Sequence, residues 1–318
     1  MDCAFLLENG RTRRLTLEDA AAWRGTGFLW VHLQGKDQED LAYLKAQQDI
    51  PDVAAGALAA TETRPRCDRI DEGAILNLRG PGDLDPDDSD RLVSIRFWVT
   101  AQRITSLSRR RLAAIDAVLA KMEAGKILDP GDLVAAFAWA ISTQLDPEVA
   151  ALGDTLDQVE SELDEARNLY PLRRTITGVR SAAIGYRRFV APDRDALRSL
   201  VDLDFDWLGE DDRLHIVDAA DRFARMAEEL EAVRERAALL HEQITDLRAE
   251  QIDQRSLLIA VVAFIFLPLT FITGLLGMNV EGIPYAHEAW AFWGVVGFCV
   301  LVALGVLAWF VWRKWLDR

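Results

Sequence analysis

Apolar and polar positions divide the 318-residue chain into distinct regimes. Up to about residue 110, short runs rich in aliphatic and aromatic residues are bounded by Gly, Asp or Arg. They predict strands at Ala4–Leu7, Phe28–Leu33, Ala74–Leu78, Leu92–Thr100 and Arg103–Ser106. Leu17–Trp23, Asp37–Gln48 and Val53–Ala60 have helical spacing, so 1–110 reads as a mixed α/β domain. From Leu107 onward the strand pattern disappears. Over 111–211 it predicts helices, at Arg110–Ala124, Asp132–Leu169, Leu172–Val190 and from Asp195, with Pro130, Pro171 and Pro192 at or near the breaks.

The last helix carries Phe223, Met226, Leu230, Val233, Ala237, Leu240, Ile244 and Leu247 at alternating steps of three and four, an a/d heptad seam. It passes through Glu250 and Asp253 into an uncharged stretch with no Pro or Gly at the junction. One stalk helix is therefore predicted over 212–276, about 95 Å long. The chain's own helices or a second copy would satisfy its seam, and the membrane part below makes self-association the expectation.

Two stretches, Ser256–Leu276 and Ala289–Trp312, contain no charged residue. At about 21 and 24 residues each is long enough to cross a hydrocarbon core as a helix. A short loop, 277–288, joins them and a tail, 313–318, follows. The loop has Glu281 and Glu288 but no Lys or Arg, whereas Arg248, Arg255, Arg313, Lys314 and Arg318 flank the pair. Positive residues stay cytoplasmic, so both termini are expected inside and the loop outside. Trp290 and Trp293 then sit at the outer interface, and Trp309, Trp312 and Trp315 at the inner one. The opening MDCAFLLENGRTRR lacks the basic and apolar regions of a signal peptide.

Charge sharpens this picture. Asp and Glu number 51 against 36 Lys and Arg, a net of −15 that lies wholly in residues 1–255. Such an excess argues against nucleic-acid binding. No Gly-rich phosphate loop exists, so ATP drive is not expected. Neither span has an ionisable side chain to relay protons. Cys3, Cys67 and Cys299 form no metal or disulfide pattern, and His32, His215 and His241 have no partner at ligand spacing. The aspartates of Gly80–Asp90 lack the EF-hand order and read as a solvated hairpin.

Two apolar spans cannot enclose an aqueous path alone. They are an anchor, or one sector of an oligomeric pore. In the first span Ser256, Ile259, Ala263, Leu267, Thr270, Gly274 and Gly277 fall along one stripe, smaller and more polar than the faces with Phe264, Phe266, Phe271 and Leu275. Such a stripe lines water or lets helices approach closely. Pro268 also frees the carbonyl of Phe264.

The segment FLPLTFITGLLGMN (Phe266–Asn279), followed by a short loop and a second span ending in a basic cluster, resembles the CorA-type divalent-cation transporters. Their signature is Gly-Met-Asn at the outer end of the first of two C-terminal spans. TETRPR (Thr61–Arg66), FLWVHL (Phe28–Leu33) and ITSLSRRRLAAID (Ile104–Asp116) extend the likeness loosely over the whole chain. The following GIP and the terminal WRKWL are more similar to the ZntB branch, associated with zinc uptake. Glu281 departs from that branch, which often has Gly there, and matches an acid of the magnesium branch.

The resemblance implies a homopentamer in the plasma (inner) membrane, with an α/β cytoplasmic funnel and a pore lined by the first span. Asn279 would form the outer filter, with Gly277 and Met278 shaping its turn. Thr270, Leu267, Ile259 and Ser256 align with pore-facing positions. No cofactor is expected. The cargo would be Zn²⁺, with Mg²⁺, Co²⁺ and Ni²⁺ as alternatives. A ring of neutral carboxamides suits a hydrated dication, because conduction needs binding weak enough to leave. Glu281, His287 and Glu288 in the loop would concentrate cations, and His287 is the one soft donor there. The rival from another class is a membrane-anchored coiled-coil scaffold, which has no use for a polar ring.

Overall fold

The structure is a computed structural model. It describes residues 2–8, 10–35, 38–47, 49–61, 64–82, 92–163, 168–278, 283, 285 and 288–316. The chain divides into two compact units, Met1–His241 and Glu242–Arg318.

The first unit is built on a seven-stranded mixed sheet in the order β2-β1-β3-β7-β6-β5-β4. The strands are β1 Cys3–Glu8, β2 Arg11–Leu15, β3 Phe28–Leu33, β4 Arg66–Ile70, β5 Gly73–Pro81, β6 Leu92–Val99 and β7 Arg103–Ser108. All neighbours are antiparallel except β3 and β7, which pair in parallel with Leu29 opposite Arg103. The central strands β3 and β7 are buried at every position, which is why their sequences read as short apolar runs rather than alternations. The two edge strands, RTRRL and RCDRI, escaped the apolar pattern because they face solvent and carry charges that discourage further pairing.

On one face of the sheet lie α1 Leu17–Ala22, α2 Gln38–Ala46 and α3 Asp52–Ala59. Leu44, Ala54 and Leu58 join Leu29, Val31, Ile75 and Trp98 in one core. The other face packs on α4 Ala114–Glu123 and α5 Pro130–Leu163. There Phe137 of α5 meets Trp30 edge-on at 5.7 Å and Phe97 at 5.0 Å.

Helix α6 spans Tyr170–Asp202 without a break, so Pro192 interrupts nothing. The next residue, Asp193, is fully buried and accepts the Arg79 N–H at 3.0 Å, just beyond the last paired residues of β4. That carboxylate holds the helix to the sheet edge where a break was expected.

Helix α7 runs from Glu210 to Leu276, close to the expected stalk. Its seam, however, is occupied by the chain itself. Phe223, Met226, Leu230, Val233, Ala237 and Leu240 are each 5 % exposed or less within one chain. Arg236 Nε donates to Glu160 of α5 at 2.7 Å, and Arg187 of α6 pairs with Glu231 at 3.0 Å. The heptads thus hold α7 to α5 and α6, and leave the helix's other face for any second copy.

Candidate ion pathway

In the second unit α7 continues to Leu276 and α8 spans Ala289–Leu316, four residues past the expected end of the span. Both helices are long and apolar enough to cross a membrane. From Ser256 to Leu276 of α7, Val261, Ile265, Leu269 and Ile272 are the half-buried residues. The matching row on α8 includes Ala291, Val295, Cys299, Val302, Val306 and Phe310. Phe264 and Phe310 meet edge to face at 6.4 Å.

This pairing fixes which face of the first span stays free. At about 100° per residue the centre of the half-buried row lies roughly 160° from the stripe found in the sequence. Ser256, Ile259, Ala263, Leu267, Thr270 and Gly274 are all exposed, on one face, turned away from α8. Thr273, outside the stripe, donates its hydroxyl back to the Leu269 carbonyl at 2.9 Å.

At the end of α7 the Gly277 N–H donates to the Thr273 carbonyl at 2.9 Å, and Met278 is exposed. Asn279, Glu281 and His287 lie outside the described residues. Glu288 is exposed and donates its N–H to the Tyr285 carbonyl at 3.0 Å. Tyr285 itself has φ +62° and sets its ring 5.3 Å from Trp290.

In the first unit the fold assembles a group that sequence spacing concealed. Carboxylate oxygens of Asp129, Asp132 and Asp212 lie within 4.8 Å of one another. Asp129 caps α5, accepting the Asp132 N–H at 2.9 Å, while Asp132 accepts the Leu128 N–H at 2.9 Å. Asp212, in the first turn of α7, accepts the Gly209 N–H at 3.0 Å. Gly131 permits the approach, since a Cβ there would collide with the Asp212 carboxylate. His215, one turn further along α7, lines an adjoining cavity of about 450 Å³ with Asp132 and Asp218. Asp132 marks a helix start in the sequence, but nothing there ties it to a residue 80 positions away.

Burial, reinforced by Asp129, pushes the Asp212 carboxyl up to about 6. The folded chain therefore holds that proton more tightly than the unfolded one. Stability falls as pH rises from about 4 to about 6 and stays lower above. Asp212→Asn, which can still accept the Gly209 N–H, is expected to raise Tm by several degrees at pH 8 and leave it unchanged below pH 4. Thermal unfolding of the full chain in detergent at both pH values measures this. An equal gain at both would show that charge is not the cause.

His32 takes no part in either place. It is fully buried, with Nδ1 2.9 Å from the Ser106 hydroxyl, and burial lowers its pKa to about 3, so the ring is neutral.

Comparison with known proteins bears on the whole chain. Residues 25–314 match the family model described as CorA-like Mg²⁺ transporter protein. The zinc transport protein ZntB of Pectobacterium atrosepticum is 31 % identical over 288 residues, 90 % of this chain and 88 % of that one. The full-length CmaX structure is 29 % identical with a TM-score of 0.81, covering 98 % of this chain and 96 % of its own. The complete CorA magnesium transporter of Methanocaldococcus jannaschii shares the fold at a TM-score of 0.80 and 16 % identity, covering 99 % and 98 %. With its mixed-sheet domain, long helix and two terminal apolar helices, this chain belongs to the CorA-like Mg²⁺ transporter protein family, whose members are transporters and not enzymes.

Proposed function

We propose that several copies of this chain surround one pore and carry Zn²⁺ into the cell. The observation that carries the reading is the free face of the first span. α8 occupies one side of α7, and the small and hydroxyl residues Ser256, Ala263, Thr270 and Gly274 lie on the opposite side, with Ile259 and Leu267 among them. An anchor needs only its lipid-facing surface. A pore needs a second face on every first span, turned from its own partner helix toward a shared axis. Zn²⁺ is the assigned cargo because relatives about 30 % identical over 90 % of the chain are zinc transport proteins.

In this reading the membrane is the plasma (inner) membrane and both termini are cytoplasmic. The family's pentamer supplies five Asn279 side chains at the outer mouth, held by the Gly277-Met278 turn. Neutral carboxamide oxygens accept hydrogen bonds from the hydration shell of the dication and release it again. Glu281 and Glu288, repeated around the ring, raise the local cation concentration, with His287 as a transient soft contact. The acidic residues 1–255, net −15, form a negative vestibule on the exit side. A membrane potential of 100 mV, inside negative, drives a dication inward with about 4.6 kcal/mol. No proton partner is needed.

The test is ion entry into liposomes holding the purified chain, followed with reporter dyes for Zn²⁺, Mg²⁺, Co²⁺ and Ni²⁺, with and without a pH gradient. Zn²⁺ is expected to enter fastest, at a rate independent of the gradient. Mg²⁺ entering faster would move the cargo to magnesium, and dependence on the gradient would require a proton carrier in the outer loop. Absence of all flux from an intact oligomer would favour the scaffold.

A further inference from the structure

Within the first unit two outward helix faces carry opposite charge. From Tyr170 to Pro192, α6 contains five arginines and no acid. Its exposed side presents Arg174, Arg180 and Arg188 around a shallow strip of Gly178, Ser181 and Gly185. Along the exposed side of α7 run Asp218, Glu228, Glu229 and Glu235. Among them stand Leu214, 66 % exposed, and Leu239, 61 % exposed, which is unusual for aliphatic side chains in a charged row. Arg222, Arg234 and Arg236 of α7 are spent on the chain's own Thr143, Glu231 and Glu160. No ion pair reaches Arg180, Arg188, Glu229 or Glu235 among the described residues.

We propose that the basic face of α6 in one copy packs on the acidic face of α7 in the next, and that this head-to-tail contact closes the ring around the first unit. The inference rests on the oligomer proposed above and adds the surface that joins its copies. A heterologous contact of this kind uses two different patches of one chain and generates a ring by rotation. Exposed ion pairs contribute little singly. The contact gains from the Leu239 side chain entering the shallow glycine and serine strip, while the opposite charges select the partner and its register.

The register follows from contacts inside the chain. Arg198 pairs with Asp221 at 3.1 Å and Arg187 with Glu231 at 3.0 Å. Residue n of α6 thus lies level with about residue 418 − n of α7. In a ring whose axis runs along α7, rotation keeps that level. Gly185 of one copy then faces about Ala232 of the next, Arg188 faces about Glu229, and Arg180 lies within reach of Glu235.

The experiment is cysteine cross-linking of the full chain in detergent, with Cys3, Cys67 and Cys299 replaced by Ser. The pair Gly185→Cys with Ala232→Cys is expected to give a ladder of linked copies on oxidation. The off-level pair Gly178→Cys with Ala232→Cys is expected to stay monomeric on the gel. Native mass spectrometry of the same samples reports the oligomer independently. An intact oligomer without the ladder overturns this contact and leaves the pore reading standing, whereas a monomer overturns both. Arg180→Glu with Arg188→Glu should abolish the ladder, and adding Glu229→Arg with Glu235→Arg should restore it. Failure of restoration in a folded oligomer would show that the charges do not meet.

Discussion

Asn279→Ala is expected to bring Zn²⁺ entry into liposomes down to the level of protein-free vesicles. In the proposed pore the dication would reach the outer mouth with its water shell, and the carboxamides would have to replace part of the hydrogen bonding that bulk water gave that shell. Each such bond is worth about 1 kcal/mol net, so five removed together raise the entry barrier by about 5 kcal/mol, more than a thousandfold in rate. Asn279→Asp should fail in a different way. A ring of carboxylates binds the ion more tightly and releases it slowly, so Zn²⁺ would saturate at lower concentration while the maximal rate drops. An Asn279→Ala protein that conducts normally as an intact oligomer would remove the filter from this residue and from the loop's Gly-Met-Asn.

The parts of the fold that could be read in advance are those whose burial pattern is local. Strands β3, β6 and β7 are buried nearly throughout, so their apolar runs stand out against charged flanks. The edge strands β2 and β4 are held by backbone pairing and expose Arg and Asp, which leaves the apolar pattern nothing to find. Pro192 misled because an intact helix depends on Asp193 reaching the Arg79 N–H, a contact spanning 114 positions. The heptads of α7 showed that a partner exists but not whose it is. The same spacing serves a neighbouring copy or, as found, α5 and α6 of the same chain. For the site, the stripe Ser256–Gly274 was legible because helical spacing alone groups those residues. Only the position of α8 reveals that the stripe is its opposite face. The carboxylates of Asp129, Asp132 and Asp212 were illegible, because two distant helix starts must first be brought together.

The largest loss of stability is expected from Phe137→Ala. This ring is fully buried at the point where α5 crosses the sheet, edge-on to both Trp30 and Phe97. Removing it leaves a cavity between β3, β6 and α5 that the two remaining aromatics cannot fill, at a cost of about 3–5 kcal/mol. In a unit of this size that lowers Tm by about 10 °C, measurable by thermal unfolding of the full chain in detergent. Trp139, two residues along the same helix, is the control. It is 42 % exposed and covered by the Arg222 guanidinium at 4.3 Å, so Trp139→Ala should cost under about 1 kcal/mol. If the two substitutions cost the same, α5 is held by its own helical partners and not by the sheet. If Phe137→Ala alone is costly, the aromatic contact seats the helix that carries Glu160, and through Arg236 it also steadies α7. Zn²⁺ entry measured well below the lowered Tm then separates two roles. Unchanged flux would mean that the sheet domain supports the pathway only by staying folded, and altered flux would mean that the seating of α5 sets the position of α7.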